Sequence, residues 1–314
     1  MPRFKLIPDN PNVPFLGLRK IFFAFSLALV VASIGIFSVK GMKYGIDFTG
    51  GIMIEVKTAE PGRIGIMRDQ LKSLNLGAYE LQEFGAADDI LIRVQAIDSS
   101  EKAQQAAVSA VKQALGDGIE YRRTELVGPK VSDELFWNGL YAMVSAIMAI
   151  LIYIWFRFEW QFGLGAVVAL THDVVTTIGV FSLIQHEFNL ATVAAVLTIA
   201  GYSINDTVVV FDRVRENLRK FKKMGLAEIL NLSINETLGR TMMTSVTTLL
   251  ALIAMFTLGG DVIRGFVFAM IWGVIVGTYS SVFVASAILL RLGVKRDWNK
   301  PDANAGNQYA KIDA

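Results

Sequence analysis

Six long apolar runs divide the chain, at residues 21–39, 137–156, 162–185, 188–211, 241–260 and 265–290. Four carry no charge. His172 and Asp173 interrupt the third run, and Asp206 interrupts the fourth. At about 1.5 Å of rise per residue, each is long enough to cross a hydrocarbon core of about 30 Å as a helix. Lipid offers the backbone no hydrogen-bond partners, so a run of this length reads as an α-helix rather than a strand. The pattern predicts an α-helical membrane protein with six transmembrane helices.

The segment between the first two runs has a different rhythm. Residues 52–56 alternate like a strand, and 63–74 place Ile66, Met67, Leu71 and Leu74 at helical spacing. Residues 79–84 and 90–94 alternate again, with Gly85 and Asp88–Asp89 read as the turn between them. Residues 100–115 read as a helix with Ser100 as its cap and Gly116 as its stop, and 119–127 as a last strand. The order is that of an inserted α+β domain, the split βαβ or ferredoxin-like arrangement, over residues 40–134. A cytoplasmic amphipathic helix is expected within 212–240, between the fourth and fifth spans.

Composition supports the bilayer reading. The 314 residues are 53% hydrophobic and 18% charged, against about 25% charged in an ordinary soluble domain. Residues 39–134 hold 12 Lys and Arg against 15 Asp and Glu, so the excess basic charge lies beside the apolar runs. That suits a membrane-flanking role and speaks against nucleic-acid binding. Arg3, Lys5, Arg19, Lys20, Arg157, the cluster at 213–223, Arg291, Lys295 and Arg296 fall on one side. The positive-inside rule makes that side cytoplasmic, with residues 1–20 and the tail at 291–314, and puts 40–134 outside. The first run has 19 residues, and no small-residue cleavage site follows, so it reads as an uncleaved helix. There is no cysteine, and two histidines make a metal site improbable.

Ionisable groups inside spans cost at least about 2.5 kcal/mol and mark functional positions. Asp173, Asp206 and Arg240 are such groups. Thr198, Tyr202 and Asn205 form a polar stripe near Asp206, and Thr241, Thr244, Ser245 and Thr248 form another after Arg240. If the stripes face each other, Arg240 is the counter-charge of Asp206, and the hydroxyls pass protons or hold water. The alternatives are a structural Asp206–Arg240 lock, an Arg240 that snorkels to the surface, and threonines that only pack. For His172 and Asp173 the plainer reading is a structural hydrogen bond. Gly163, Gly165, Gly201, Gly273 and Gly277 indicate close helix packing.

Several motifs carry a resemblance. Tyr-Gly-Ile-Asp-Phe-Thr-Gly-Gly at 44–51 resembles the signature of the SecD/SecF family of protein-export proteins. Gly-Tyr-Ser-Ile-Asn-Asp-Thr-Val-Val-Val-Phe-Asp-Arg at 201–213 resembles its SecF-type fourth helix. Gly-Pro-x-Val-Ser-x-Glu-Leu at 128–135 and Arg-Thr-Met-Met-Thr-Ser at 240–245 fit as well. A single set of six helices points to the separate-chain, SecF-type branch.

The resemblance implies a bacterial inner-membrane protein that pairs with SecD in a twelve-helix arrangement like that of the resistance–nodulation–division transporters. It implies association with the SecYEG channel and with translocating preprotein, besides membrane lipid. The proton-motive force then drives late, periplasmic steps of export. It maps a proton relay onto Asp206, Arg240 and Thr244; from the residues themselves, Asp173, Asn205 and Thr248 are the secondary-relay or structural candidates. Gly45, Asp47, Gly50 and Gly51 belong to the signature, and its glycines suit a tight hinge or, equally, a structural turn. No enzymatic activity, metal or cofactor is expected, protons being the coupling ion. Competing readings are half of a small-molecule exporter, a non-conducting scaffold and an intramembrane hydrolase; the last lacks H-E-x-x-H and an evident second carboxylate at the depth of Asp206, Asp173 being the only candidate.

Overall fold

The computed structural model describes residues 11–72, 74, 79–84, 86–94, 101–116 and 118–294. The expected Ser100 cap, the Gly85 turn, and Arg3, Lys5, Lys295 and Arg296 lie outside these residues. After a short 3-10 turn at Phe15–Leu18, α1 (Arg19–Lys40) crosses the membrane region and ends at Gly41, whose φ of 68° suits a residue without Cβ. A single turn, α2 (Ile46–Thr49), leads into the inserted domain.

That domain runs β1 (Gly51–Thr58), α3 (Ile64–Lys72), β2 (Tyr79–Phe84), β3 (Ala86–Val94), α4 (Glu101–Leu115) and β4 (Ile119–Val127). The sheet is antiparallel, ordered β2-β3-β1-β4, which is the expected split βαβ topology with β1 inside the sheet. Ile52, Ile54 and Val56 alternate on one face of β1. They pack with Ile90, Ile92 and Val94 of β3 against Met67 and Leu71 of α3 and Val111 and Leu115 of α4. Asp88 and Asp89 belong to β3 rather than to a turn. Ion pairs to Lys57 at 3.3 Å and Arg122 at 3.0 Å hold them in the sheet, and the chain reverses between Phe84 and Ala86.

The remaining helices are α5 (Pro129–Arg157), α6 (Trp160–Ile184), α7 (Leu190–Lys220), α8 (Leu226–Leu258) and α9 (Asp261–Ser280). A π-helical turn at Ser281–Ala285 continues α9 into α10 (Ser286–Leu292). Six helical segments, among the described residues, are long and apolar enough to cross a membrane. Several outrun the expected spans. Pro129 starts α5 directly after β4, because proline at the first helical position loses no intrahelical hydrogen bond.

The separate amphipathic helix expected within 212–240 is absent. Instead α7 runs on to Lys220, five residues turn the chain, and α8 starts at Leu226 with Glu228 reaching back to the Gly225 N–H at 3.2 Å. The extension is clamped by Arg157–Asp212 at 2.9 Å, Arg213–Glu236 at 2.7 Å and Asn217–Ser233 at 3.0 Å.

In the most apolar stretch of α6, α7 and the α9–α10 segment, 50%, 56% and 61% of residues are buried, against 11% in α1 and α5 and 17% in α8. The bundle therefore has an inner triad and three peripheral helices. Small residues bring the triad close. A Cβ on Gly273 would run into Ile199, one on Gly277 would lie 3.1 Å from Ser203 Cβ, and one on Gly165 would lie 3.2 Å from the Ala285 carbonyl. Gly201 does not follow this expectation: it is exposed, and open space lies where its Cβ would be.

Candidate functional site

Two aspartates lie buried in the inner triad, and their surroundings differ. Asp173 of α6 is fully buried. Ser203 of α7 donates to its Oδ2 at 2.5 Å and Ser280 of α9 does so at 2.7 Å, while the His172 Nδ1 lies 2.9 Å from its Oδ1. One carboxyl group thus ties three helices together. Ser280 is the last residue before the π turn, a rare distortion that clusters at functional positions. The structural hydrogen bond read for His172 and Asp173 is present. Its extension to Ser203 and Ser280 had no signal in the sequence, where serines in spans read as packing.

Asp206 of α7 is 3% exposed, and its Oδ2 has no hydrogen-bond partner. A buried acceptor without a donor normally costs about 1–3 kcal/mol, so such atoms ask for an explanation. The register of the antiparallel helices α7 and α8 supplies the surroundings. Asn217 meets Ser233, Arg213 meets Glu236, and the Tyr202 hydroxyl donates to Ser245 at 3.3 Å. The same register puts Asp206 level with Thr241 and Thr244; of the two predicted stripes, Tyr202 meets Ser245, while Thr198 and Asn205 are exposed. Arg240, one residue before Thr241, is exposed at about the same level of the helix pair. Thr207 and Thr241 each carry a buried hydroxyl oxygen without a partner as well. Asp206 therefore borders polar atoms with unfilled hydrogen-bonding capacity, a setting that suits a transient proton or water.

The other predicted residues fall as follows. Thr244 is half-buried and donates to the Thr241 carbonyl at 2.9 Å and to the Arg240 carbonyl at 3.2 Å, leaving its oxygen lone pairs facing outward from the helix backbone. Thr248 is half-buried one turn further. Asn205 and Thr198 are exposed beside open Gly201 in the middle of α7, a polar strip that lipid covers poorly and a second helical subunit covers well. A hydroxyl chain from Tyr202 through Ser245 to Thr278 at 2.7 Å, linking α7, α8 and α9, was not anticipated.

Gly45, Asp47, Gly50 and Gly51 lie in a docked turn. Gly50 and Gly51 take φ values of 69° and 122°, which suit glycine, and turn the chain into β1. The segment before them is docked on the loop between α6 and α7. Gly45 donates to the Phe188 carbonyl at 2.9 Å, Phe188 donates to the Lys43 carbonyl at 2.8 Å, and Asp47 Oδ2 accepts from the Leu190 N–H at 2.9 Å. Rings of Tyr44, Phe48, Phe136 and Phe188 pack edge to face around this contact.

Residues 107–295 match the family described as Protein export membrane protein SecD/SecF, C-terminal, and residues 35–61 match the SecD/SecF GG Motif. The chain belongs to the SecD/SecF family. Among its relatives, the protein translocase subunit SecF of Cereibacter sphaeroides is 47% identical over 99% of both chains. That of Rhodobacter capsulatus is 47% identical over 96% of this chain and 95% of its own. The crystal structure of SecDF from Thermus, described as a translocon-associated membrane protein, superposes with a TM-score of 0.83 at 35% identity. It covers 91% of this chain, which spans only 39% of that longer chain. This SecF-type chain is a multi-pass protein of the bacterial inner membrane, works in protein translocation, and associates with SecD.

Proposed function

We propose that this SecF-type chain, with SecD, uses protons crossing the membrane to promote late steps of preprotein translocation through the SecYEG channel. Asp206 carries the proton, Arg240 is its counter-charge, and Thr244 belongs to the same path. Asp173, Asn205 and Thr248 stand beside that path in supporting roles. The observation that carries the reading is the buried Asp206 Oδ2 left without a donor, level with Thr241 and Thr244. Binding a proton there removes a buried charge and weakens its attraction to Arg240. The packing of α7 on α8 then shifts between two arrangements, and the inserted domain follows.

The driving force is adequate. One charge crossing 100 mV is worth about 2.3 kcal/mol, enough to bias a two-state element well over tenfold. Both termini are cytoplasmic and the inserted domain is periplasmic in this reading, with the basic residues flanking the spans as support. No catalytic centre or bound cofactor is needed; the proton is the coupling ion.

The test is export into energised vesicles carrying the chain with SecD, with and without a protonophore. Asp206→Asn is expected to lose the increment that the protonophore also abolishes. An Asp206→Asn variant that keeps full proton-dependent export refutes the relay. Labelling of single introduced cysteines, in a chain that has none of its own, tests the orientation.

A further inference from the structure

From the docked signature segment we infer that Asp47 is a positioning residue that fastens the periplasmic end of α7, the helix bearing Asp206, to the central strand of the inserted domain. This rests on the reading of Asp206 as the proton carrier.

The connection is short and made of named bonds. The α7 helix opens at Leu190, and its first-turn amides need acceptors from outside the helix. Asn189 supplies one, its Oδ1 accepting from the Thr192 N–H at 3.0 Å. Asp47, 143 residues away in sequence, supplies another by accepting from the Leu190 N–H at 2.9 Å. Its negative charge also lies at the positive end of the helix dipole. Two backbone hydrogen bonds between residues 43–45 and Phe188 flank this contact. Beyond Asp47 only Phe48, Thr49 and Gly50 precede β1, which pairs with both β3 and β4.

A second tie reaches the same loop from the sheet, because Arg93 of β3 pairs with Glu187. Asp206 lies sixteen residues into α7, roughly 24 Å along a rigid helix. A shift of α7 at Asp206 therefore reaches β1 through bonds rather than through a flexible linker. The glycines at 50 and 51 shape the turn, while Asp47 makes the attachment.

The test uses the full chain with SecD in proteoliposomes, energised by an imposed proton gradient. Two variants remove the Asp47–Leu190 bond from opposite sides. Asp47→Ala removes the acceptor. Leu190→Pro removes the donor at the first helical position, where proline is tolerated, after an Asn189 already in an extended conformation. Both are expected to raise hydrogen exchange across residues 186–192 and to cut the proton-dependent increment of export at least fivefold. Asp47→Asn keeps an acceptor oxygen and is expected to stay within twofold of wild type.

A Gly45→Cys/Asn189→Cys pair supplies the opposite intervention. A Cβ on Gly45 would lie 3.1 Å from that of Asn189, so a small outward shift brings the pair into the disulfide range of about 3.5–4.5 Å. Oxidising this pair is expected to leave proton-driven export equal to that of the same protein reduced, because the joined segments move together. Unchanged exchange in both bond-removing variants overturns the attachment. Raised exchange with undiminished proton-driven export overturns its coupling role. Arrest of export on oxidation overturns it too, since the joint would then have to open. If Asp206→Asn retains proton-driven export, the relay reading fails while hydrogen exchange still reports on the joint.

Discussion

Asp173 and Asp206 are the same residue type, both buried in the same inner helices, yet their hydrogen bonding differs in kind. Asp173 accepts from two serines and is bonded to His172, so its hydrogen-bonding capacity is largely spent on holding α6, α7 and α9 together. Asp206 keeps a bare oxygen without a fixed donor. Burial alone thus does not mark a proton-carrying group. Unfilled capacity at a buried carboxylate sets Asp206 apart from Asp173, and exchange of a proton or water there breaks no existing bond. The Asp206 site gives up packing stability for that freedom, and the network around Asp173 recovers rigidity a turn away, at Ser203.

The largest expected effect separates the two on function. Asp206→Asn should lose all proton-dependent export yet keep wild-type yield and thermal stability in detergent, whereas Asp173→Leu should fail on stability first. Removing Asp173 orphans Ser203 and the His172 ring and leaves Ser280 with the Gly277 carbonyl at 3.2 Å, so a loss of about 3 kcal/mol or more is expected in a denaturation series. Equal stability for Asp173→Leu and wild type would erase the contrast.

Ser280→Ala sharpens it on a smaller scale, removing one donor for about 1 kcal/mol while leaving proton-driven export in place. Smaller still is a pH effect outside the membrane. Burial, then the nearby Arg264, Arg93 and Lys43 charges, hold the His186 imidazole below its ordinary value of 6.5. The unfolded chain takes up that proton near 6.5 and the folded one resists it. The contribution of neutral His186 is therefore present above about 6.5 and is lost as pH falls below it towards the depressed folded value. Thermal melts at pH 7.5 and 5.5 should show a larger acid loss for wild type than for His186→Gln.

The six spans and the order of the inserted domain were legible, because apolar run length and residue spacing are local properties. What the chain did not disclose depends on partners distant in sequence. Ser203 and Ser280 are ordinary small residues until α6 places Asp173 between them. Asp47 reads as part of a glycine-rich turn until Leu190 arrives beside it. The helical extensions past 211 and before 241 were missed for a different reason. Their charged residues look like a surface loop, yet they pair across α7 and α8 and so continue both helices.

The clamps at the two ends of α7 also imply an asymmetry towards ionic strength. At the Lys220 end, the Arg157 and Asp212 side chains are each 43% exposed, and Arg213 and Glu236 are 34% and 30% exposed. Pairs so open to water are screened over a Debye length of about 8 Å at physiological salt. At the Leu190 end, Arg93 and Glu187 are 13% and 18% exposed, and the Asp47 contact is partly buried. Rising salt should therefore loosen one end of the helix well before the other, leaving it anchored on the side of the inserted domain and freer at the opposite face.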